Sequence, residues 1–299
     1  MIIIQVMGGL GNQLQQYALY RKFVRLGKEA RLDLSWFLER DKRGEVLAER
    51  ELELAYFDRL VYETCTPEEK ALLIGSDGVA GKLKRKLLPG TVKWFHESKM
   101  YHPDLLQMEN MYLSGYFACE KYYADILYDL REKIQFPVST HPENTKMAQE
   151  MQERESVSVH IRRGDYLDAE NTAMFGNICT DAYYSEAIGH MKELCKAPHF
   201  YLFSDDVPYV RQQFTGEEYT VVDINHGRNS FFDMWLMSRC RHNICANSTF
   251  SFWGARLNSN ENKIMIRPTI HKNSQVFVKT EMEELWPGWV FVSPEGKIM

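Results

Sequence analysis

Short apolar runs separated by helical patterns dominate the second half of the chain. Val157–Ile161, Phe200–Phe203, Thr220–Val222, Asn243–Ala246 and Ile264–Ile266 are each three to five residues long and predominantly apolar. That is the pattern of parallel strands buried on both faces. After Thr180, a residue suited to an N-cap, Tyr183, Tyr184, Ala187, Ile188 and Met191 recur at helical spacing. A second helical stripe, Phe231, Phe232, Trp235 and Leu236, runs from about Asn229 to Arg239. Strands alternating with helices predict a doubly wound parallel α/β domain. The first half opens in the same way. Met1–Met7 reads as a strand, Gly8–Gln13 as a loop, the segment to about Leu26 as a helix and Ala30–Leu34 as a second strand. Met111–Ala118 reads as a further strand, followed by a helix from Glu120 to Leu130, whereas Phe37–Arg50 and Thr64–Gly90 are charged and show no clear period. The polar, proline-bearing stretch from Pro137 to Ser156 separates the halves. Two domains are therefore expected, 1–150 and 151–299.

Composition narrows the classes. A chain of 299 residues with 44% hydrophobic content can build two cores. A net charge of -5 argues against a nucleic-acid partner, which requires a basic footprint. No apolar run approaches the ~20 residues of a membrane-spanning helix. Met1–Met7 lacks a basic leader region and reads as a first strand, so a cytoplasmic location is expected. The six cysteines are scattered, as reduced thiols are. Cys240, His242 and Cys245 lie close together but have no second ligand pair, and structural thiols are the simpler reading. The basic stretch Lys82–Leu88 reads as a solvated helix face, with peripheral contact to an anionic membrane surface as the alternative.

In a doubly wound domain, ligands bind beyond the carboxyl ends of the strands. Here those ends carry Arg162-Arg163-Gly164-Asp165, Ser204-Asp205-Asp206, Asp223, and Asn247-Ser248-Thr249-Phe250 opening a helix. Arginines pair bidentately with phosphate oxygens, and a helix N-terminus offers unpaired N–H groups to an anion. Carboxylates accept from a guanine or from ribose hydroxyls. A nucleoside diphosphate suits this edge.

Rival readings attach to three motifs. Gly9-Leu10-Gly11 after the first strand, with Asp33 ending the next, resembles a dinucleotide fingerprint, but Leu14 occupies its third glycine position. A tight structural turn explains the glycines equally well. Asn247-Ser248-Thr249 is formally an N-glycosylation acceptor, and Ser248 is also a plausible helix cap. Arg163-Gly164-Asp165 could serve as an adhesion tripeptide, and the arginines could simply form a surface ion pair with Asp165.

Together the motifs resemble a known family. His160-Ile161-Arg162-Arg163-Gly164-Asp165 is similar to the leading motif of the α-1,2-fucosyltransferases, glycosyltransferase family 11. Gly8–Tyr17, Tyr112–Phe117, Phe203–Asp206 and Asn247–Trp253 follow in family order. The resemblance implies a GT-B type α/β fold, two Rossmann-like domains facing across a cleft. The N-terminal domain would bind mainly the acceptor, and the C-terminal domain GDP-fucose. It implies inverting transfer of L-fucose to the 2-hydroxyl of a terminal β-galactoside, free or lipid-linked, in bacterial surface polysaccharide synthesis. Donor contacts would come from Asn12, His160, Arg162, Asp205, Ser248, Thr249 and Phe250. The sequence contains no Asp-x-Asp, so Arg162 rather than a metal is expected to neutralise the leaving diphosphate, without a cofactor. Asp165 is expected to position neighbouring groups, and Glu170 or Asp168, on a loop, to be the general base. An α-1,6-like linkage and a nicotinamide-dependent oxidoreductase are the alternatives.

Overall fold

A computed structural model describes residues 1–38, 51–76, 87 and 92–299, with only the backbone described at Asp165, Leu167 and Glu170. Most of Lys82–Leu88, and with it the membrane-surface reading, lies outside the described residues, as do 39–50. The chain divides into two compact units, Met1–Gln135 and Phe136–Met299. The division falls where the polar stretch begins, and helix Pro142–Glu153 packs Ala148 and Met151 into the second unit's core.

In the first unit, β1 (Ile2–Gln5), β2 (Ala30–Asp33), β3 (Trp94–His96) and β4 (Met111–Ser114) form a parallel sheet in the order β2-β1-β4-β3. Helix Leu10–Arg25 links β1 to β2. Strand β3 is half-buried and only three residues long, too short to show a period in the sequence. Helix Pro67–Ile74 lies in the stretch that showed no clear period. Its capping box, Thr66 with Glu69, was a local signal overshadowed by the surrounding charge. The helix expected over Glu120–Leu130 is broken into the turns Glu120–Tyr122 and Ala124–Ile126, with a regular helix only at Leu127–Lys133. Adjacent Tyr122 and Tyr123 are both fully buried, a demand that a helix with one apolar face does not meet.

In the second unit, β5 (Ser156–Ile161), β6 (His199–Ser204), β7 (Tyr219–Val222), β8 (His242–Ile244), β9 (Met265–Pro268) and β10 (Trp289–Val292) form an all-parallel sheet ordered β10-β9-β8-β5-β6-β7. Five of these strands fall where the apolar runs predict them, whereas β10 was not anticipated. Counting from β5, the order is that of a dinucleotide-type doubly wound sheet, 3-2-1-4-5-6. Every residue of β5 is buried, as its central place requires. Helix Asp181–Leu194, capped by Thr180 accepting from Tyr183 N, buries the predicted stripe against Val157, Val159, Phe200 and Leu202. Helix Phe231–Arg239 buries Phe231, Phe232 and Leu236, while Trp235 is only half-buried. The strand order reverses between the parallel neighbours β5 and β8, so the crevice that a ligand can enter lies beyond Ile161 and Ile244.

Candidate active site

The carboxyl end of β5 delivers two arginines to two aspartates at the end of the adjacent β6. Arg162 Nη1 lies 2.8 Å from Asp205 Oδ2, and its guanidinium sits 5.6 Å from the Tyr166 ring centre. Arg163 donates its backbone N–H to Asp205 Oδ1 at 2.9 Å and its Nε to Asp206 Oδ2 at 3.0 Å. Its guanidinium stacks 3.6 Å over Tyr209. Asp206 also caps helix Val207–Gln213 by accepting from Tyr209 N. Thus Arg163 is tied into the fold through Asp206. Its engagement also removes the side chain from any adhesion tripeptide. Gly164 is required for space: a Cβ there would stand 2.4 Å from Asp205 Oδ2.

His160, the last but one residue of β5, is buried with its ring 5.9 Å from that of Phe250. Its Nδ1 has no partner among the described residues. Burial, helped by Arg162, pushes its pKa down to about 3, so the imidazole is neutral at physiological pH. A buried polar atom without a partner costs about 1–3 kcal/mol and calls for a reason; a bound ligand is one.

Helix Thr249–Leu257 begins just beyond β8. Ser248 occupies its N-cap, but the hydroxyl makes no cap bond. Ser248, Thr249 and Phe250 are all half-buried. The structural explanation for this serine is therefore weaker than the sequence implied, and the first-turn N–H groups remain the anion-facing feature. Asn247 is 2% exposed, which removes it as a glycosylation acceptor in the folded protein.

The segment after Arg163 is not the loop the sequence suggested. Gly164–Leu167 forms a helical turn and Ala169–Phe175 an α-helix, with Asp168 exposed at its N-cap position and Glu170 in its first turn. Asp165 lies within the turn. Sequence reasoning missed Tyr166, whose hydroxyl donates to Asn247 O at 3.0 Å and whose ring stacks on Phe175. It also missed the role of Asp206, although Ser204-Asp205-Asp206 had marked the strand end.

Asn12 lies in the other unit, in the first turn of helix Leu10–Arg25, with its N–H on Gly9 O. Gly8 has φ +80, and a Cβ there would stand 2.7 Å from Asn12 Nδ2. The neighbouring glutamines brace this loop. Gln13 donates to Gly8 O and Glu51 O, Gln16 accepts from Met7 N, and Gln15 and Gln16 donate to Tyr116 O and Gly115 O. Asp33 is buried and accepts from Tyr112 Oη and Ser35 N beside Lys70 Nζ. The dinucleotide reading needs that carboxylate for a ribose, and here it holds the first unit together.

Among the described residues, Glu155, Cys195 and His242 are the one group whose ligand atoms gather closely, at the amino end of the second sheet. His242 Nδ1 accepts from Ile264 N at 3.0 Å, so the proton sits on Nε2 and is shared with Glu155 at 2.8 Å. That is the geometry of a structural hydrogen bond; a ligating histidine would donate from its other nitrogen. Cys240 and Cys245 are buried thiols, and burial raises the pKa of both.

The second unit is therefore a doubly wound parallel α/β domain with cationic and N–H groups at its switch point. The family model for glycosyl transferase family 11 matches residues 98–293, and the chain belongs to that family. It is 28% identical to an α-1,2-colitosyltransferase of Escherichia coli over 275 residues, covering 90% of this chain and 91% of the relative. It is 30% identical to the O-antigen biosynthesis glycosyltransferase WbnK of Escherichia coli over 292 residues, covering 87% of this chain and 91% of that one. A galactoside α-(1,2)-fucosyltransferase 1 of Leontopithecus chrysomelas is 26% identical over 144 residues, 48% of this chain and 40% of that entire protein. The protein is thus a glycosyltransferase built from two parallel α/β units, the two-domain plan of the GT-B type. No helix among the described residues is long and apolar enough to cross a membrane.

Proposed function

We propose that this glycosyltransferase moves L-fucose from GDP-β-L-fucose to the 2-hydroxyl of a terminal β-galactoside, inverting the fucose carbon to form an α-1,2 linkage. The observation that carries the reading is that Arg162, fixed by Asp205, and the N-terminus of helix Thr249–Leu257 follow the ends of the adjacent strands β5 and β8 at the switch point. Cleavage of the bond to GDP leaves negative charge on the diphosphate. Arg162 and the Ser248–Phe250 amides and hydroxyls neutralise it, which is the charge stabilisation that lowers such barriers. His160 and Asp205 face the guanosine, with Phe250 beside His160. Asn12 contributes from the N-terminal unit, which binds mainly the acceptor. The base that takes the acceptor proton is Glu170 or Asp168, and Asp165 positions its neighbours.

A second reading transfers colitose in place of fucose with the same linkage, and the similarity to the α-1,2-colitosyltransferase favours it. The acceptor, free or lipid-linked, then belongs to a surface polysaccharide. Incubation of GDP-fucose and GDP-colitose with a panel of β-galactosides, with NMR of the product linkage, separates the readings. An α-1,2-fucoside is expected. Turnover of neither GDP-sugar, or a product linked at another hydroxyl, would refute the proposal. For the base, Asp168→Asn or Glu170→Gln should bind GDP normally and lose at least about 10²-fold in rate. Near-normal rates in both would move the search to other carboxylates.

A further inference from the structure

The last four carbonyls of an α-helix have no partner within the helix. For helix Ala169–Phe175 and the residue after it, partners come from the ends of two other strands. Asn247, just beyond β8, donates its side-chain amide to Phe175 O at 3.0 Å and to His271 O at 3.2 Å. Asn273, on the loop beyond β9, donates its side-chain amide to Ala173 O at 3.0 Å and Gly176 O at 3.2 Å. Its backbone N–H reaches Met174 O at 2.8 Å. Four consecutive carbonyls, from Ala173 to Gly176, are thus bound from outside the helix. Asn247 is further locked, its Oδ1 accepting from Cys179 Sγ at 3.5 Å and its carbonyl from Tyr166 Oη at 3.0 Å. A helix of seven residues has little stability of its own, so its place is set by what holds its ends.

We propose that Asn247 and Asn273 are positioning residues, a two-point clasp on the carboxyl end of the helix whose other end carries Asp168 and Glu170. The inference rests on reading one of those carboxylates as the base. The chemistry requires amides: the sites face carbonyl acceptors, so the side chain must donate, and an aspartate would set an anion against them. A tilt at the clasped end shifts the carboxylates at the other end, and a displacement near 1 Å is enough to cost about 10²-fold in rate.

Asn273 is exposed, so its variants test the clasp without disturbing a buried site. Asn273→Ala and Asn273→Asp are compared with the wild type in kcat, KM for GDP-fucose, GDP affinity by calorimetry and amide hydrogen exchange over residues 169–176. Exchange should quicken in that segment while the rest of the second unit is unchanged. Turnover should fall about tenfold or more, with GDP affinity and donor KM held within about twofold, and the aspartate should be the worse of the two. Unchanged exchange over 169–176, unchanged kcat despite faster exchange, or a loss of GDP affinity in step with kcat would each overturn the proposal. If the wild type turns over no GDP-sugar, the functional reading and the catalytic role fail together. The exchange measurement still decides separately whether the clasp holds the helix.

Discussion

Replacing each of the two adjacent arginines separates catalysis from support, because their surroundings differ. Arg162 pairs with Asp205 at the switch point; Arg163 is held by Asp206 and by the Tyr209 ring. Losing a charged donor to the transition-state anion costs about 2.7–4 kcal/mol, so Arg162→Ala should reduce turnover about 10²–10³-fold. Arg162→Lys should recover little of it, because a lysine lacks the planar fork that pairs with Asp205 and a phosphate together. For Arg163→Ala the lost partners are an ion pair whose side chains are 31% and 30% exposed and a close cation–π contact. At that exposure the pair is worth about 0.2–1 kcal/mol and the stacking about 0.5–1 kcal/mol. The sum, about 1–2 kcal/mol, should lower Tm by roughly 2–8 °C in a domain of this size. Turnover should stay within about tenfold, since the backbone N–H of residue 163 still holds Asp205. Steady-state kinetics with GDP-fucose and thermal melts of the three variants provide the comparison. Equal, mild rate losses at both positions would refute the assignment, as would an Arg163→Ala protein with wild-type Tm and the larger kinetic defect.

Three further outcomes are expected. Gly164→Ala should push the Asp205 carboxylate off Arg162 and the Arg163 amide, since the new Cβ stands 2.4 Å from Oδ2; weaker GDP binding in a folded protein, by calorimetry and circular dichroism, is the signature, and unaltered binding would show that Asp205 yields harmlessly. Transfer should persist in EDTA, because Arg162 supplies the neutralising charge; loss on chelation with recovery on manganese would contradict that. Burial raises the Asp233 carboxyl from 3.8 to about 7, although Asn225 donates to it, so the folded state holds this proton more tightly than the unfolded chain. Its contribution to stability is complete below 3.8 and is lost as pH rises through about 7. Asp233→Asn should therefore flatten the fall in Tm across that window, and an unchanged Tm–pH curve would show that the carboxyl ionises freely.

The sequence by itself determined five of the six strands of the second sheet, the helices Asp181–Leu194 and Phe231–Arg239 that cover them, and the chemistry at the strands' carboxyl ends. Each is a local property: apolar runs of strand length, helical spacing after Thr180, and polar residues placed where a run stops. The same reading brought Arg162, Asp205 and Ser248 to one edge, because parallel strands all end on the same side. Tertiary structure alone decided the pairings. Arg163 meets Asp206, a residue 43 positions away, because the β5–β6 register sets the two strand ends side by side. Asp33, which could have gripped a ribose, became a core acceptor because β4 brings Tyr112 to it and helix Pro67–Ile74 brings Lys70. The segment after Arg163 became helical because its carbonyls found Asn247 and Asn273 from two other strand ends. Such partners are far apart in the chain and are selected by strand order, a non-local property that hydrophobic period and local propensity do not encode.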